Sequence, residues 1–335
     1  MTPAVDPTAP SSLAPRSLLP APPFRFGIQV RGAESAGELV ATARRAETLG
    51  FDVLTVPDHF PFGLAPFPAL ATVAAATERL RVGTFVAAND FRHPVVLAKE
   101  AATLDLLSGG RLELGVGAGW MRSEYEAAGF PFDRPGVRIA RLAEGIAVLR
   151  LLLGAEGEGP VSFAGEHFRV TDLALQPRPV QTGGPPILVG GGGRRVLTLA
   201  AQVADIVGFS PRALADGSLD PTSTSEEATA EKAAWVDEAA RGAGRVPERG
   251  LPERNLYVYG VTETDDQEAS AAAMSAEGGI PAEVLLGSPH FLFGTIEEMV
   301  TELEAARTQL GISYVTVPSD LMEATAPIVE RLRGR

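Results

Sequence analysis

The chain has 335 residues, 45% hydrophobic and 21% charged, a composition that fits one large α/β barrel or two ordinary globular domains. It has no cysteine, which excludes disulfides, thiolate nucleophiles and cysteine-held metals or clusters. A formal net charge of −13, with Lys99 and Lys232 as the only lysines, disfavours nucleic acid and anionic surfaces as partners, and no apolar run reaches the roughly 20 residues of a membrane span.

Residues 1–23 are rich in proline, alanine and serine and carry no periodic apolar face. They lack the basic start and continuous apolar stretch of a signal peptide, so a disordered tail is expected ahead of a single domain over 24–335. The expected compartment is the cytoplasm, whose reducing conditions suit a cysteine-free chain. From Phe24 onward, strand-like and helix-like segments alternate. FRFGIQV reads as the first strand. Ser35 and Glu38 have capping-box spacing before a helix that ends at Leu49, with Gly50 as the stop. FDVLTV is the second strand and runs into Pro57-Asp58-His59-Phe60. A helix over 66–77 follows. Leu80 to Val86 is the third strand, ending in the small-residue corner Ala87-Ala88-Asn89. Arg92-His93-Pro94 opens a helix to Leu107, with proline at an ordinary first-turn position, and Ser108-Gly109-Gly110 stops it.

Leu112 to Val116 is the fourth strand and ends in Gly117-Ala118-Gly119-Trp120. Gly136 to Leu153 is amphipathic and helical. Residues 154–184 break the alternation; VSFAGEHFRV has strand character between turn residues and reads as an insertion. PPILVGGGG is the fifth strand with its loop, Arg194 to Val203 the fifth helix and DIVGF the sixth strand. A helix lies within 224–241, NLYVYGVTE is the seventh strand, and 265–290 is alanine-rich helix followed by loop. Thr295 and Glu298 cap a helix that Gly311 ends, ISYVTVP is the eighth strand, and a helix closes the chain. Eight strand–helix units predict an α/β fold, a (β/α)8 TIM barrel with insertions. The alternative is a doubly wound sheet, whose dinucleotide fingerprint fails here: Gly115, Gly117 and Gly119 do not complete G-x-G-x-x-G.

Candidate site residues lie at the C-terminal ends of these strands, where parallel α/β proteins bind ligands. His59 after the second strand can exchange a proton with a carbonyl or hydroxyl substrate, with Asp58 orienting it or stabilising its cation. The competing reading is a loop dipeptide that caps a helix. Gly190, Gly191, Gly192 and Gly193 allow close backbone approach, and their amides with a helix start make an anion site to which Arg194 or Arg195 adds charge. Gly117 and Gly119 would let a flat ring lie near the backbone; the alternative is tight barrel packing with Trp120 as a core or rim aromatic. The four histidines show no metal-ligand spacing, and no G-x-S-x-G elbow is present.

PDHF after the second strand, the run NDFRHPVVLAKEAATLDLLSGGRLELGVGAGW, and PPILVGGGGRR together resemble the bacterial luciferase-like superfamily, and within it the coenzyme F420-dependent oxidoreductases. The resemblance covers about residues 24–335. It implies a TIM barrel that binds F420 or FMN at its C-terminal mouth and pairs as a homodimer through helices such as Pro66 to Thr77 and Pro94 to Leu107. It assigns Asp58 and His59 to the cofactor-ring and active-site pair. It assigns Ala87, Ala88 and Asn89 to the bulge behind the ring, with a non-proline cis peptide expected there, and Gly190 to Gly193 to the phosphate. Members that oxidise glucose 6-phosphate carry a glutamate directly after the fourth-strand G-x-G, where this chain has Trp120, and a tryptophan after the DHF motif, where it has Phe62 and Gly63. The resemblance therefore stops short of sugar-phosphate oxidation. It implies hydride transfer between F420 and a small organic substrate, with an FMN-dependent monooxygenase as the alternative and a non-catalytic flavin-binding protein as the third reading.

Overall fold

The computed structural model describes residues 22–154, 159–214, 216–245 and 251–335. Most of the expected disordered tail, residues 1–21, lies outside the described residues. Eight parallel strands form the barrel: β1 (Arg25–Gln29), β2 (Val53–Val56), β3 (Arg81–Thr84), β4 (Leu112–Gly117), β5 (Ile187–Gly191), β6 (Ile206–Phe209), β7 (Glu253–Tyr257) and β8 (Ile312–Pro318). β8 returns to β1 with Arg25 opposite Tyr314, and β3 meets β4 with Val82 opposite Leu112, so the sheet closes on itself. Closure explains why runs such as VLTV and IVGF are largely apolar, with the one hydroxyl, Thr55, donating to the Ile28 carbonyl. One face meets the barrel interior and the other meets helices, and all four residues of each run are buried.

The helices are α1 (Ala36–Leu49), α2 (Pro66–Ala76), α3 (Pro94–Leu107), α4 (Arg122–Ala128), α5 (Pro135–Gly154), α6 (Arg194–Val203), α7 (Glu226–Gly242), α8 (Gln267–Gly278), α9 (Ala282–Leu286), α10 (Ile296–Leu310) and α11 (Met322–Leu332). Their ends follow the local signals. Gly50 and Gly311 close α1 and α10 in the left-handed conformation. Thr295 and Glu298 form a complete capping box. Ser35 caps α1, but the Glu38 carboxylate takes the amide of Glu34 instead of closing the box on Ser35.

One strand of the sequence reading changes, and the expected insertion is present as strand. NLYVYGVTE is not one strand. β7 ends at Tyr257, and Gly260–Glu263 leaves the barrel to pair in parallel with Phe291–Gly294. The expected insertion is an antiparallel hairpin, Val161–Ala164 with Arg169–Leu173, outside the barrel sheet.

The barrel is filled in layers. At the N-terminal end Arg25 lies between Glu113 and Glu253, and Arg81 reaches Glu113 at 2.7 Å, so these inward charges are paired as low-dielectric burial requires. Above them Val53, Leu188, Ile206 and Tyr314 pack with Phe85 and Val86. Those last two side chains need room, and glycines on three neighbouring strands supply it. A Cβ at Gly117 would lie 2.6 Å from Val86, one at Gly190 3.2 Å from Val86, and one at Gly208 3.1 Å from Phe85.

Candidate active site

The C-terminal mouth of the barrel gathers the residues that can carry chemistry. Asp58 leaves β2 buried at 7% exposure. One carboxylate oxygen accepts the amide of Ala88 at 3.0 Å and an Arg92 Nη1–H at 2.6 Å; the other accepts Arg92 Nη2–H at 3.2 Å. Asp58 thus ties the exit of β2 to the segment after β3. Its oxygens are occupied by the protein, which suits a positioning role better than proton exchange.

His59 takes a different partner. Its Nδ1 lies 3.1 and 3.0 Å from the two carboxylate oxygens of Glu124, which also accepts the amide of Phe60 at 3.3 Å. Glu124 sits on α4 with only 2% exposure. A carboxylate accepts only, so Nδ1–H donates in this pair and Nε2 is the ring nitrogen left for a ligand. This is the base-plus-orienter arrangement of general acid–base sites. Aromatic rings stand around the imidazole: Phe62 at 4.5 Å between ring centroids, and Trp120 edge-on at 5.8 Å.

Sequence reading missed Glu124 because it passed over α4, a seven-residue helix between two glycine-rich stretches. The available signal was a carboxylate just beyond the exit of β4, close to the level at which His59 leaves β2.

Gly117 and Gly119 serve the protein's own packing. Gly117 faces Val86, and Gly119 has φ +73° with its Cβ position 1.8 Å from the Tyr125 hydroxyl. Tyr125 donates to Asp90 at 3.3 Å, and burial followed by the Asp90 charge pushes its phenol well above the usual tyrosine range. Ala87 and Ala88 pair with Val116 and Gly117 as a two-residue bridge. Asn89 turns outward, with Oδ1 close to Gly145 of α5. The non-proline cis peptide is Phe85-Val86, two residues before the expected Ala87-Ala88; it lies where the chain leaves β3 and sends Phe85 and Val86 into the barrel.

The glycine loop after β5 divides into two kinds of position. Gly191 and Gly192 are closed in: a Cβ at Gly191 would meet Val196 at 2.3 Å, and one at Gly192 would meet the backbone of Ser210 and Pro211 at 2.4 Å. Gly193 faces open space and is the N-cap of α6, with no side chain bonded to the first-turn amides. Those amides therefore remain available to an anion. Arg194 goes elsewhere, to the exposed side, where Nη2 lies 3.0 Å from Glu238. Arg195 instead reaches toward the start of α5, with Nη1 3.6 Å from the Cβ position of Gly136. Lys232, 2% exposed, braces the neighbouring segment after β6, donating to Ser210 O at 2.9 Å and to Ser223 O at 2.6 Å.

A coenzyme "F420-dependent glucose-6-phosphate dehydrogenase" from Amycolatopsis mediterranei is 36% identical over 179 residues, covering 50% of this chain and 51% of that protein. The chain thus spans about half the length of the curated relatives it matches. An F420-dependent secondary alcohol dehydrogenase, solved with an F420–acetone adduct, superposes with a TM-score of 0.73 at 20% identity over 93% of this chain and 99% of that one. A monooxygenase from Streptomyces bottropensis gives 0.71 at 24% over 92% and 97%. At these identities the two structures establish the shared fold and leave the chemistry open. The family profile of luciferase-like monooxygenases matches residues 20–307, and the chain belongs to that family.

Proposed function

We propose that the protein is a coenzyme F420-dependent oxidoreductase that passes a hydride between the deazaflavin and a small organic substrate. The observation that carries this reading is the His59–Glu124 pair at the mouth of a luciferase-like barrel. The names of the relatives, matched over about half of their length, support the cofactor.

The residues fit such a group. Gly193 and the first-turn amides of α6 offer an open anion site that suits the phosphodiester. Arg195, beside the start of α5, is placed to meet an anionic tail. The segment from Phe85 to Ala88, held by Asp58 and filled by Val86, forms a firm backing for a planar ring. The deazaflavin, when bound, supplies the carbon centre that exchanges the hydride. His59 supplies the proton site: Nε2 takes the hydroxyl proton as an alcohol is oxidised and returns it to the carbonyl oxygen in the reverse direction. Glu124 holds the imidazole tautomer and stabilises the imidazolium formed in that step. Asp58, with Arg92, keeps the exits of β2 and β3 in register.

FMN-dependent monooxygenation is the second reading, favoured by the same open anion site, and simple flavin sequestration is the third. Titration of the purified protein with each cofactor separates them. Tighter F420 binding is expected; FMN binding with no F420 binding would assign the protein to the monooxygenase reading, and tight cofactor binding that survives His59→Ala, with no turnover of any alcohol or ketone screened, would favour sequestration. We further infer a homodimer, supported by the exposed apolar side chains of Val96, Leu106 and Leu107 on α3. A monomer mass in light scattering at micromolar concentration would refute that assembly. Among the described residues no helix is long and apolar enough to cross a membrane, which is compatible with the cytoplasmic placement proposed for it.

A further inference from the structure

Two of the 15 phenylalanines are exposed, Phe60 at 55% and Phe62 at 41%. They follow His59 by one and three residues. Their neighbours are rings as well. Phe62 lies 4.5 Å from the imidazole at an interplanar angle of 32°, and Trp120 meets the imidazole edge-on at 77°. Phe60 stacks against Phe130 at 5.9 Å and touches Phe91 at 4.5 Å. Exposed rings that cluster at a polar group are the signature of a surface that a ligand completes.

Most of the charges around this cluster are already committed; Arg31, whose carbonyl lies against Gly63, donates to the neutral oxygens of Gln29 at 3.4 Å and Tyr257 at 3.3 Å. Arg92 is held by Asp58 and lies 3.5 Å from Glu100. Arg122 is 3.7 Å from Glu126 and sits over Phe132. Arg138 donates to the carbonyls of Ala118, Gly119 and Asp133, and Arg141 pairs with Asp90 and Asp133. Neither lysine serves: Lys99 donates to the Gln176 carbonyl, and Lys232 is buried with its ammonium on the carbonyls of Ser210 and Ser223. A phosphorylated substrate needs a guanidinium fork or an ammonium free to meet it. A neutral ring needs aromatic faces, which are what stand here.

We infer that the substrate is an uncharged alcohol or ketone with an aromatic or conjugated body. Its oxygen meets His59 Nε2, and its ring lies against Phe62 and Trp120. This inference rests on the oxidoreductase reading for the role of His59, but the ring-binding surface is testable by itself.

The test is calorimetric titration of the protein with acetophenone and with glucose 6-phosphate, each in the presence and in the absence of saturating coenzyme F420. Saturable acetophenone binding is expected, with no heat from glucose 6-phosphate at millimolar concentration. Phe62→Ser should weaken acetophenone binding by roughly tenfold, and Phe62→Leu, which keeps the apolar surface, by less than about threefold. Near-wild-type circular dichroism of both variants ensures that a loss reports the site and not the fold. Glucose 6-phosphate binding more tightly than acetophenone, or Phe62→Ser binding acetophenone like the wild type, overturns the inference. The separate F420 titration tells the two claims apart: acetophenone binding without F420 binding removes the cofactor assignment and leaves the aromatic surface standing.

Discussion

Replacing Gly192 and Gly193 by alanine, one at a time, separates packing from ligand binding in the loop after β5. A methyl at 192 would stand 2.4 Å from the Pro211 carbonyl carbon and oxygen and from the Ser210 oxygen. Carbon contacts relax at about 3.5 Å, so the two loops must part by about 1 Å. The Ser210 carbonyl resists that movement because buried Lys232 holds it at 2.9 Å. Overpacking of this kind costs about 1–3 kcal/mol. For a chain of this size that is a fall in melting temperature of roughly 1.5–4.5 °C. At Gly193 the added methyl meets nothing within 4 Å, and φ is −102°, which alanine tolerates. There the entropy gained from the unfolded chain, about 0.4–1 kcal/mol, offsets a similar loss from a poorer N-cap. Gly193→Ala should therefore melt with the wild type. It should still weaken F420 by roughly tenfold, because the methyl occupies the approach to the α6 amides. Differential scanning calorimetry and an F420 fluorescence titration measure the two effects. If Gly192→Ala melts with the wild type, the packing account of the loop is wrong. If Gly193→Ala binds F420 normally, the anion site lies elsewhere.

Glu124→Gln should lower kcat by roughly 10²-fold while leaving F420 affinity near wild type, since an amide can donate to Nδ1 and invert the tautomer of His59; full-rate single turnover in this variant would remove Glu124 from the mechanism. His59→Ala should lose at least as much, again with cofactor binding intact. Asp58→Asn weakens a mostly buried pair with Arg92, so a stability loss of about 2–4 kcal/mol in urea unfolding is expected, with a smaller effect on kcat than Glu124→Gln produces. Burial, reinforced by the Glu226 charge, pushes the Glu302 carboxyl up to about 7. A raised carboxyl favours the folded state below its ordinary range of 4.5, and that contribution is lost as pH rises through about 7. Glu302→Gln should therefore unfold at higher urea than the wild type above neutral pH, with the gap closing toward acid; a gap independent of pH would refute the burial argument.

The barrel was legible in the sequence because its signals are local. Closed-barrel strands are apolar on both faces, so VLTV and IVGF stand out, and glycine, proline and capping residues mark the helix ends, as Gly50, Pro94 and Thr295 do. His59 and the glycine loop were legible for a related reason: both follow a strand directly, and strand exits point to one mouth. What stayed hidden depends on contacts between residues far apart in the chain. The pairing of His59 with Glu124 joins positions 65 apart, and no spacing rule links them. The division of labour within four identical glycines, with Gly192 pressed on Pro211 and Gly193 open, depends on where the β6 exit lies. Arg194 and Arg195 are adjacent and chemically equal, and only the placement of Glu238 on α7 sends the first of them outward. NLYVYGVTE carries one apolar pattern throughout, yet it divides at Tyr257 because Phe291–Gly294 offers the second half a different partner. Local chemistry thus determined the elements and their order, while the closed barrel, by bringing distant loops to one mouth, decided which side chains meet.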